Sequence, residues 1–249
     1  MSPDDNKRVM EFFGAAARDW PSPEIADRVL YVPVSTDPGV TSLCALVLAD
    51  TELERANKFV TNDGRSHFIQ RRAFRRYCGA AATGSQGLLS QMSFCESDNG
   101  RPYLSDRPDL WFTFSSCRLG FVGAWSSTHA VGVDVEDQDM QVEVDSLAQT
   151  YFTASEASTV RRSGPERLQA FLTLWSLKEA ALKSIGEGLP FGLAAFEFEI
   201  SGHLRVVNAP ADHGGPDLFR PYLFDRPGIS AALIGRKLQQ PHSLHKRLL

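Results

Sequence analysis

The sequence predicts an α+β fold. Strand-like runs crowd residues 111–136, two helix patterns fill residues 153–185, and strands resume after Pro190. Strands grouped before and after helices, rather than alternating with them one by one, argue against a doubly wound parallel sheet.

Taken in order, residues 8–17 carry a helical pattern, and Pro21, Pro23, Pro33, Pro38 and Gly39 then break the chain into a loop and a short strand. The apolar run 43–49 reads as a buried strand, with Asp50 or Thr51 capping a short helix to Lys58. Residues 65–77 form a second helix bearing Arg65, Arg71, Arg72, Arg75 and Arg76; with Lys58 these make either a solvated face or an anion-binding one. Short strands are expected at 88–94, 111–115, 120–125 and 130–136, between Gly, Pro and Asp turns. Thr153-Ala154-Ser155-Glu156 has capping-box spacing, so a helix runs from there to about Arg162. Pro165 suits the first turn of a longer helix, 166–185, which Gly186 stops. Four more strands follow at 195–200, 204–207, 218–224 and 229–234, then a basic, Pro-broken tail from Arg236.

Twenty-six Lys and Arg against 30 Asp and Glu give a net charge of −4, which excludes a protein that coats nucleic acid or membrane surfaces through general positive charge. The longest clean apolar stretch, 43–49, falls far short of the ~20 residues that cross a bilayer. Acids at Asp4 and Asp5 stand where a secretory signal carries basic residues, so a cytoplasmic location is expected, with no membrane and no nucleic-acid partner. Cys44, Cys78, Cys95 and Cys117 are widely spaced and read as free, buried thiols. His242 and His245 sit three apart in the tail and read as incidental.

Chemistry concentrates in two places. In Val131-Gly132-Val133-Asp134-Val135-Glu136 the strand period of two sends three valines to one face and both acids to the other. An edge strand with a solvated acidic face gives the same pattern. On the long helix, with Leu168 at zero and about 100° per residue, Phe171, Leu172, Trp175 and Leu182 fall within about 60° of one line, and Glu179 falls among them. Lys178 and Lys183 fall on the borders of that stripe. Burying an ionised carboxylate without a partner is costly, so Glu179 is protonated, pairs with a lysine or faces a cation. Asp134, Glu136 and Glu179 together offer the hard oxygen donors that Mg²⁺ prefers, with positions left for water and phosphate.

These residues resemble a family. Gly132-Val133-Asp134-Val135-Glu136, followed about forty residues later by Trp175-Ser176-Leu177-Lys178-Glu179-Ala180-Ala181-Leu182-Lys183 and Gly186-Glu187-Gly188-Leu189, is similar to the paired signature of 4′-phosphopantetheinyl transferases. The likeness is to the large type that serves peptide and polyketide synthases. Gly100-Arg101-Pro102 resembles the family's Gly-Lys/Arg-Pro element. The match runs over about residues 95–200.

The resemblance implies two similar α+β lobes related by a pseudo-twofold axis, divided near residue 128 into 1–128 and 129–249, with coenzyme A and Mg²⁺ in the cleft between them. It implies transfer of the 4′-phosphopantetheine group from coenzyme A to a serine of an apo acyl- or peptidyl-carrier protein, giving holo-carrier and 3′,5′-ADP. Carried over position by position, Asp134, Glu136 and Glu179 hold Mg²⁺, Glu179 is the general base, and Lys183 neutralises phosphate charge. Lys178 joins the coenzyme-binding set, Arg101 matches the family's basic phosphate contact, and Arg65 and Arg55 match residues gripping the 3′-phosphate side. Both carboxylate sets lie in one chain, so a monomer is expected to be self-sufficient.

One stretch departs from the pattern. Where the family has Asn-x-Ser-His-Ser, this chain reads Thr113-Phe114-Ser115-Ser116-Cys117, so Ser115 keeps the family's serine while Ser116 replaces the histidine expected at the phosphate. Two further readings follow: a carrier-protein-binding module that has lost catalysis, and a metal-dependent hydrolase that cleaves a pyrophosphate.

Overall fold

The computed structural model describes residues 2–21, 24–85 and 87–238; His242, His245 and nearly all of the basic tail lie outside them. Helix α1 (Pro3–Ala16) begins earlier than its periodicity indicates, because the Ser2 hydroxyl accepts the Asp5 N–H at 3.1 Å and Pro3 fits the first turn. Strands β1 (Arg18–Asp19) and β2 (Arg28–Pro33) follow. The strand expected at 43–49 is instead helix α2 (Pro38–Ala45), capped by the Asp37 carboxylate accepting the Gly39 N–H at 2.8 Å. Val40, Leu43, Cys44 and Val47 recur at helical spacing, and Asp37-Pro38 is a start signal that outranks a short apolar run.

Helix α3 (Asp50–Ala56) is capped one residue before the expected Asp50 or Thr51, at Ala49, whose N–H donates to Glu52 at 3.1 Å. Helix α4 (Asn62–Thr83) is longer than 65–77: Thr61 caps it and Gly84 ends it at φ +63°. The strand expected at 88–94 is a 3-10 turn, Leu89–Gln91. The middle strands are β3 (Cys95–Glu96), β4 (Pro102–Tyr103), β5 (Trp111–Cys117), β6 (Gly120–Ser126) and β7 (His129–Asp137). Helix α5 (Val144–Tyr151), unforeseen, has no side-chain cap to announce it. Helix α6 (Ala154–Arg162) has its expected capping box, and α7 (Arg167–Ile185) stops at Gly186 with φ +79°. Strands β8 (Glu197–Glu199), β9 (Arg205–Asn208), β10 (Phe219–Arg226) and β11 (Ile229–Lys237) complete the described chain.

Two sheets organise the fold, one ordered β1-β2-β6-β5 and the other β10-β11-β7, with antiparallel neighbours throughout. Each is backed by helices. Leu30, Val32, Phe121 and Trp125 of the first sheet share a core with Phe68, Phe74 and Tyr77 of α4. Ala232 and Ile234 of the second share one with Leu174, Leu177 and Ala181 of α7. The opposite faces meet in a third core, where Val29, Tyr31, Val122 and Ala124 join Val131, Val133, Val135 and Leu233. The Thr113 hydroxyl accepts the Val133 N–H at 3.0 Å and ties β5 to β7.

Helix α7 lies directly on β7. A Cβ on Gly132 would sit 1.8 Å from the Ala180 carbonyl oxygen, so only glycine allows this approach. It brings the Asp134 and Glu136 face of β7 under α7 and not into solvent. The helix is buried nearly all round, and the side chains left half-buried include Trp175, Glu179 and Lys183, one line at spacings of four. Glu179 therefore does not lie within the buried stripe; it lies on the open line.

Cys44, Cys78 and Cys117 are buried free thiols, while Cys95, expected to be buried, is exposed and free. Among the described residues no helix is long and apolar enough to cross a membrane.

Candidate functional site

Strand β7 and helix α7 supply a cluster of opposite charges. Lys183 Nζ lies 2.7 Å from Asp134 Oδ1, 3.2 Å from Ser115 Oγ and 3.1 Å from the Val133 carbonyl oxygen. The Ser115 hydroxyl donates to the same Asp134 oxygen at 2.8 Å. Asp134 is only 3% exposed, and its second carboxylate oxygen, Oδ2, is buried without a hydrogen-bond partner.

Glu136 and Glu179 complete the cluster. Burial, then the neighbouring Asp134 charge, pushes the Glu136 carboxyl up to about 7, against the pull of Lys183. Burial also raises Glu179, opposed by Lys183 and reinforced by Asp134. Three carboxylates thus share one lysine in a half-dry cleft, and the site as it stands is short of positive charge. Among the described residues, no three His, Cys, Asp or Glu side chains converge tightly enough to form a ready metal centre. What the cluster offers a cation is the orphaned Asp134 oxygen and two carboxyls held back from ionisation.

This sets a pH dependence. Glu136 binds its proton more tightly folded than unfolded, so from pH about 4.5 to about 7 folding takes up a proton and stability falls as pH rises. In EDTA, the melting midpoint of the wild type should fall across that window relative to Glu136→Gln; parallel curves for the two proteins would contradict the buried cluster.

A cavity of about 210 Å³ opens beside the cluster, lined by Glu179, Lys183, Arg101, Arg75, Thr113 and the backbone at Gly186–Gly188, among others. Arg101 reaches it from a tight turn in which the Ser97 N–H donates to the Arg101 carbonyl at 2.9 Å and Gly100 takes φ +81°. Its guanidinium lies 4.1 Å from the centre of the Trp111 ring, which fixes its direction.

The other expected residues are placed elsewhere. Ser116 points away from Ser115, into a larger cavity of about 970 Å³ that Arg65, Arg118 and His67 also line. The imidazole Nε2 of His67 is 2.9 Å from the Cys117 carbonyl oxygen, and burial lowers its pKa. Arg55 packs 5.5 Å from the Phe68 ring centre and lines neither cavity.

Lys178, expected in the coenzyme-binding set, does not line the cleft. It is fully buried, 2.7 Å from Glu156, and donates to the carbonyls of Leu193 at 3.1 Å and Phe196 at 2.5 Å. It belongs to the core behind α7, because the helix is buried on that side too and the border position assigned to it does not exist. Nor is α4 a basic face: Arg72 and Arg76 are tied to Glu52 at 3.1 and 2.6 Å, and Arg75 turns inward. Two groups at the site, Trp175 beside Glu136 and Arg75 in the smaller cavity, were not singled out from sequence. Trp175 was legible as a neighbour of Glu179 one helical turn away; Arg75 was hidden among five arginines on one helix.

Comparison with known proteins converges on the same elements. A family model described as the 4′-phosphopantetheinyl transferase superfamily matches residues 130–219. The chain is 30% identical over 150 residues to the 4′-phosphopantetheinyl transferase psf-1 of Bacillus pumilus, covering 60% of this chain and 63% of that protein. It is 30% identical over 149 residues to the 4′-phosphopantetheinyl transferase HetI of Nostoc sp., covering 58% and 62%. Against the 4′-phosphopantetheinyl transferase Sfp of Bacillus subtilis it is 27% identical over 157 residues, covering 62% and 68%. The chain thus spans less than two thirds of the length of the first two relatives. Because the matched stretch contains Asp134, Glu136, Glu179 and Lys183, the charged cleft between β7 and α7 is the part on which the chain's likeness to the 4′-phosphopantetheinyl transferase superfamily rests.

Proposed function

We propose that this protein transfers the 4′-phosphopantetheine group of coenzyme A to a serine of an apo acyl- or peptidyl-carrier protein. The observation that carries the reading is the Lys183–Asp134 contact at 2.7 Å, flanked by Glu136 and Glu179 and open to a cavity. At about 210 Å³ that cavity is smaller than the roughly 300 Å³ from which clefts enclose whole ligands, so it suits the phosphates and leaves the pantetheine arm outside. We read the two helix-backed sheets as two lobes related by a pseudo-twofold axis, divided near residue 128, with the coenzyme between them.

In this mechanism the carrier serine attacks the β-phosphorus of coenzyme A. The new P–O bond forms on the side opposite the bridging oxygen, which leaves with 3′,5′-ADP. Glu179 takes the serine proton: burial raises its affinity for that proton, as a general base working near neutral pH requires. Lys183 neutralises charge on the leaving phosphate, and Arg101, fixed on Trp111, grips the phosphate from the cavity wall. Ser115 holds Asp134 in place through its 2.8 Å hydrogen bond. Asp134, Glu136 and Glu179 would hold Mg²⁺, since an orphaned carboxylate oxygen and two carboxyls whose proton affinity burial raises are a donor set that a hard divalent cation satisfies. When bound, that ion supplies charge neutralisation of the pyrophosphate.

Ser116 favours one other reading, a carrier-binding module without catalysis, since the imidazole of the family pattern is replaced by a hydroxyl. Intact-mass spectrometry separates the two. Apo carrier incubated with this protein, coenzyme A and Mg²⁺ should gain one phosphopantetheinyl group, and EDTA should abolish the gain. Carrier that stays apo here, while another transferase converts the same stock, would contradict the transferase reading.

A further inference from the structure

Arg101 is held by aromatic and backbone contacts and not by an acid. Its turn is fixed from behind: the Ser97 hydroxyl accepts the Arg101 N–H at 3.1 Å, and the Ser97 N–H donates to the Arg101 carbonyl at 2.9 Å. Its guanidinium then lies over the Trp111 ring, 4.1 Å from the ring centre, and 5.9 Å from the centre of the Tyr103 ring. Gly186 closes the slot from the end of α7. A Cβ there would stand 3.6 Å from Cδ and 3.8 Å from Nε of Arg101, and 3.8 Å from Cη2 of Trp111.

This sets Arg101 apart from other cations near the site. Lys183 is given to Asp134, and Arg72 and Arg76 are given to Glu52. Among the described residues, no ion pair or side-chain hydrogen bond takes up the Arg101 guanidinium. Burial pulls its pKa down, with Tyr103 opposing. A desolvated cation at the wall of a cavity, with its donors unspent, is ready for an anion.

The contacts also select the kind of cation. A guanidinium can rest its face on an indole and still donate N–H groups in its own plane. An ammonium on the same ring turns donors and charge into the ring and is more strongly hydrated. We infer that Trp111 is a positioning residue for Arg101: with Gly186 it forms a guanidinium slot that aims Arg101 at the phosphates of coenzyme A, and lysine cannot stand in for that arginine. This inference rests on the transferase reading above and adds to it a residue outside the charged cluster.

The test is steady-state transfer to one apo carrier protein by the full chain with Mg²⁺, with coenzyme A varied. Trp111→Leu should raise KM for coenzyme A about three- to tenfold and leave kcat within about twofold, the scale of a desolvated cation–π contact. Trp111→Phe keeps a ring under the guanidinium and should recover most of that loss. Arg101→Lys should have a KM within about twofold of that of Arg101→Met, since a charge without the plane is not held. In an Arg101→Met background, Trp111→Leu should add less than about twofold, because its effect runs through the arginine. Arg101→Lys leaves the buried Trp111 in place, so the slot is tested even where Trp111→Leu folds poorly. A wild-type KM in Arg101→Lys, a change below about twofold in folded Trp111→Leu, a Trp111→Phe no better than Trp111→Leu, or an undiminished Trp111→Leu effect in the Arg101→Met background overturns the inference. Absence of transfer by the wild type, where a second transferase modifies the same carrier, overturns the transferase reading and the inference with it.

Discussion

Glu179→Gln should lower kcat/KM for carrier modification by about 10²- to 10⁴-fold, the range in which a positioned general base contributes. The substitution keeps the size of the side chain and removes both the proton acceptor and one negative charge. Glu179 is half-buried on the open line of α7, at the wall of the smaller cavity, so glutamine there disturbs no core contact. Asp134→Ala should be at least as severe. It takes away the partner of Lys183 at 2.7 Å and of Ser115 at 2.8 Å, and leaves the lysine free to turn. Circular dichroism should show Glu179→Gln folded as the wild type, and transfer within tenfold of wild type in that variant would refute its role as base.

The second large effect is on stability. Glu156 and Lys178 are 1% and 0% exposed and 2.7 Å apart, in the core behind α7. The Glu156 carboxylate also accepts from the Thr153 N–H and hydroxyl and from the Phe198 N–H at 2.9 Å, so the pair is closed by further hydrogen bonds. Replacing one partner strands a buried charge, and Glu156→Ala or Lys178→Met should each cost about 3–5 kcal/mol in urea unfolding. The double variant should cost less than the sum, since neither charge is then left alone. Folded Lys178→Met should retain the wild-type KM for coenzyme A. A loss under 1 kcal/mol with a raised KM would return Lys178 to the cleft.

These two residues also mark where the sequence could and could not be read. The alternation of Val131, Val133 and Val135 with Asp134 and Glu136 announced a two-sided strand, and Thr153-Ala154-Ser155-Glu156 and Gly186 bounded the helices, because period and capping are local. The direction of Lys178 was not local. A stripe calculation on α7 assumes one buried face, but β7 and β11 cover one side of the helix while α5 and α6 cover another. The run 43–49 failed for a related reason: a short apolar segment fits strand and helix alike, and Asp37-Pro38 upstream decided it. Arg75 could not be chosen from its neighbours because pairing of Arg72 and Arg76 to Glu52 on α3 is a tertiary fact. Ser115 and Ser116, adjacent in sequence, part company at the strand and face different cavities.

The most direct measurement is the stoichiometry of 3′,5′-ADP released to carrier converted, followed by chromatography and intact mass in one reaction. The account predicts one 3′,5′-ADP per holo-carrier and no release when carrier is omitted, because the serine is the nucleophile that Glu179 activates. Release of 3′,5′-ADP without carrier, at the rate seen with it, would make water the nucleophile and the protein a hydrolase.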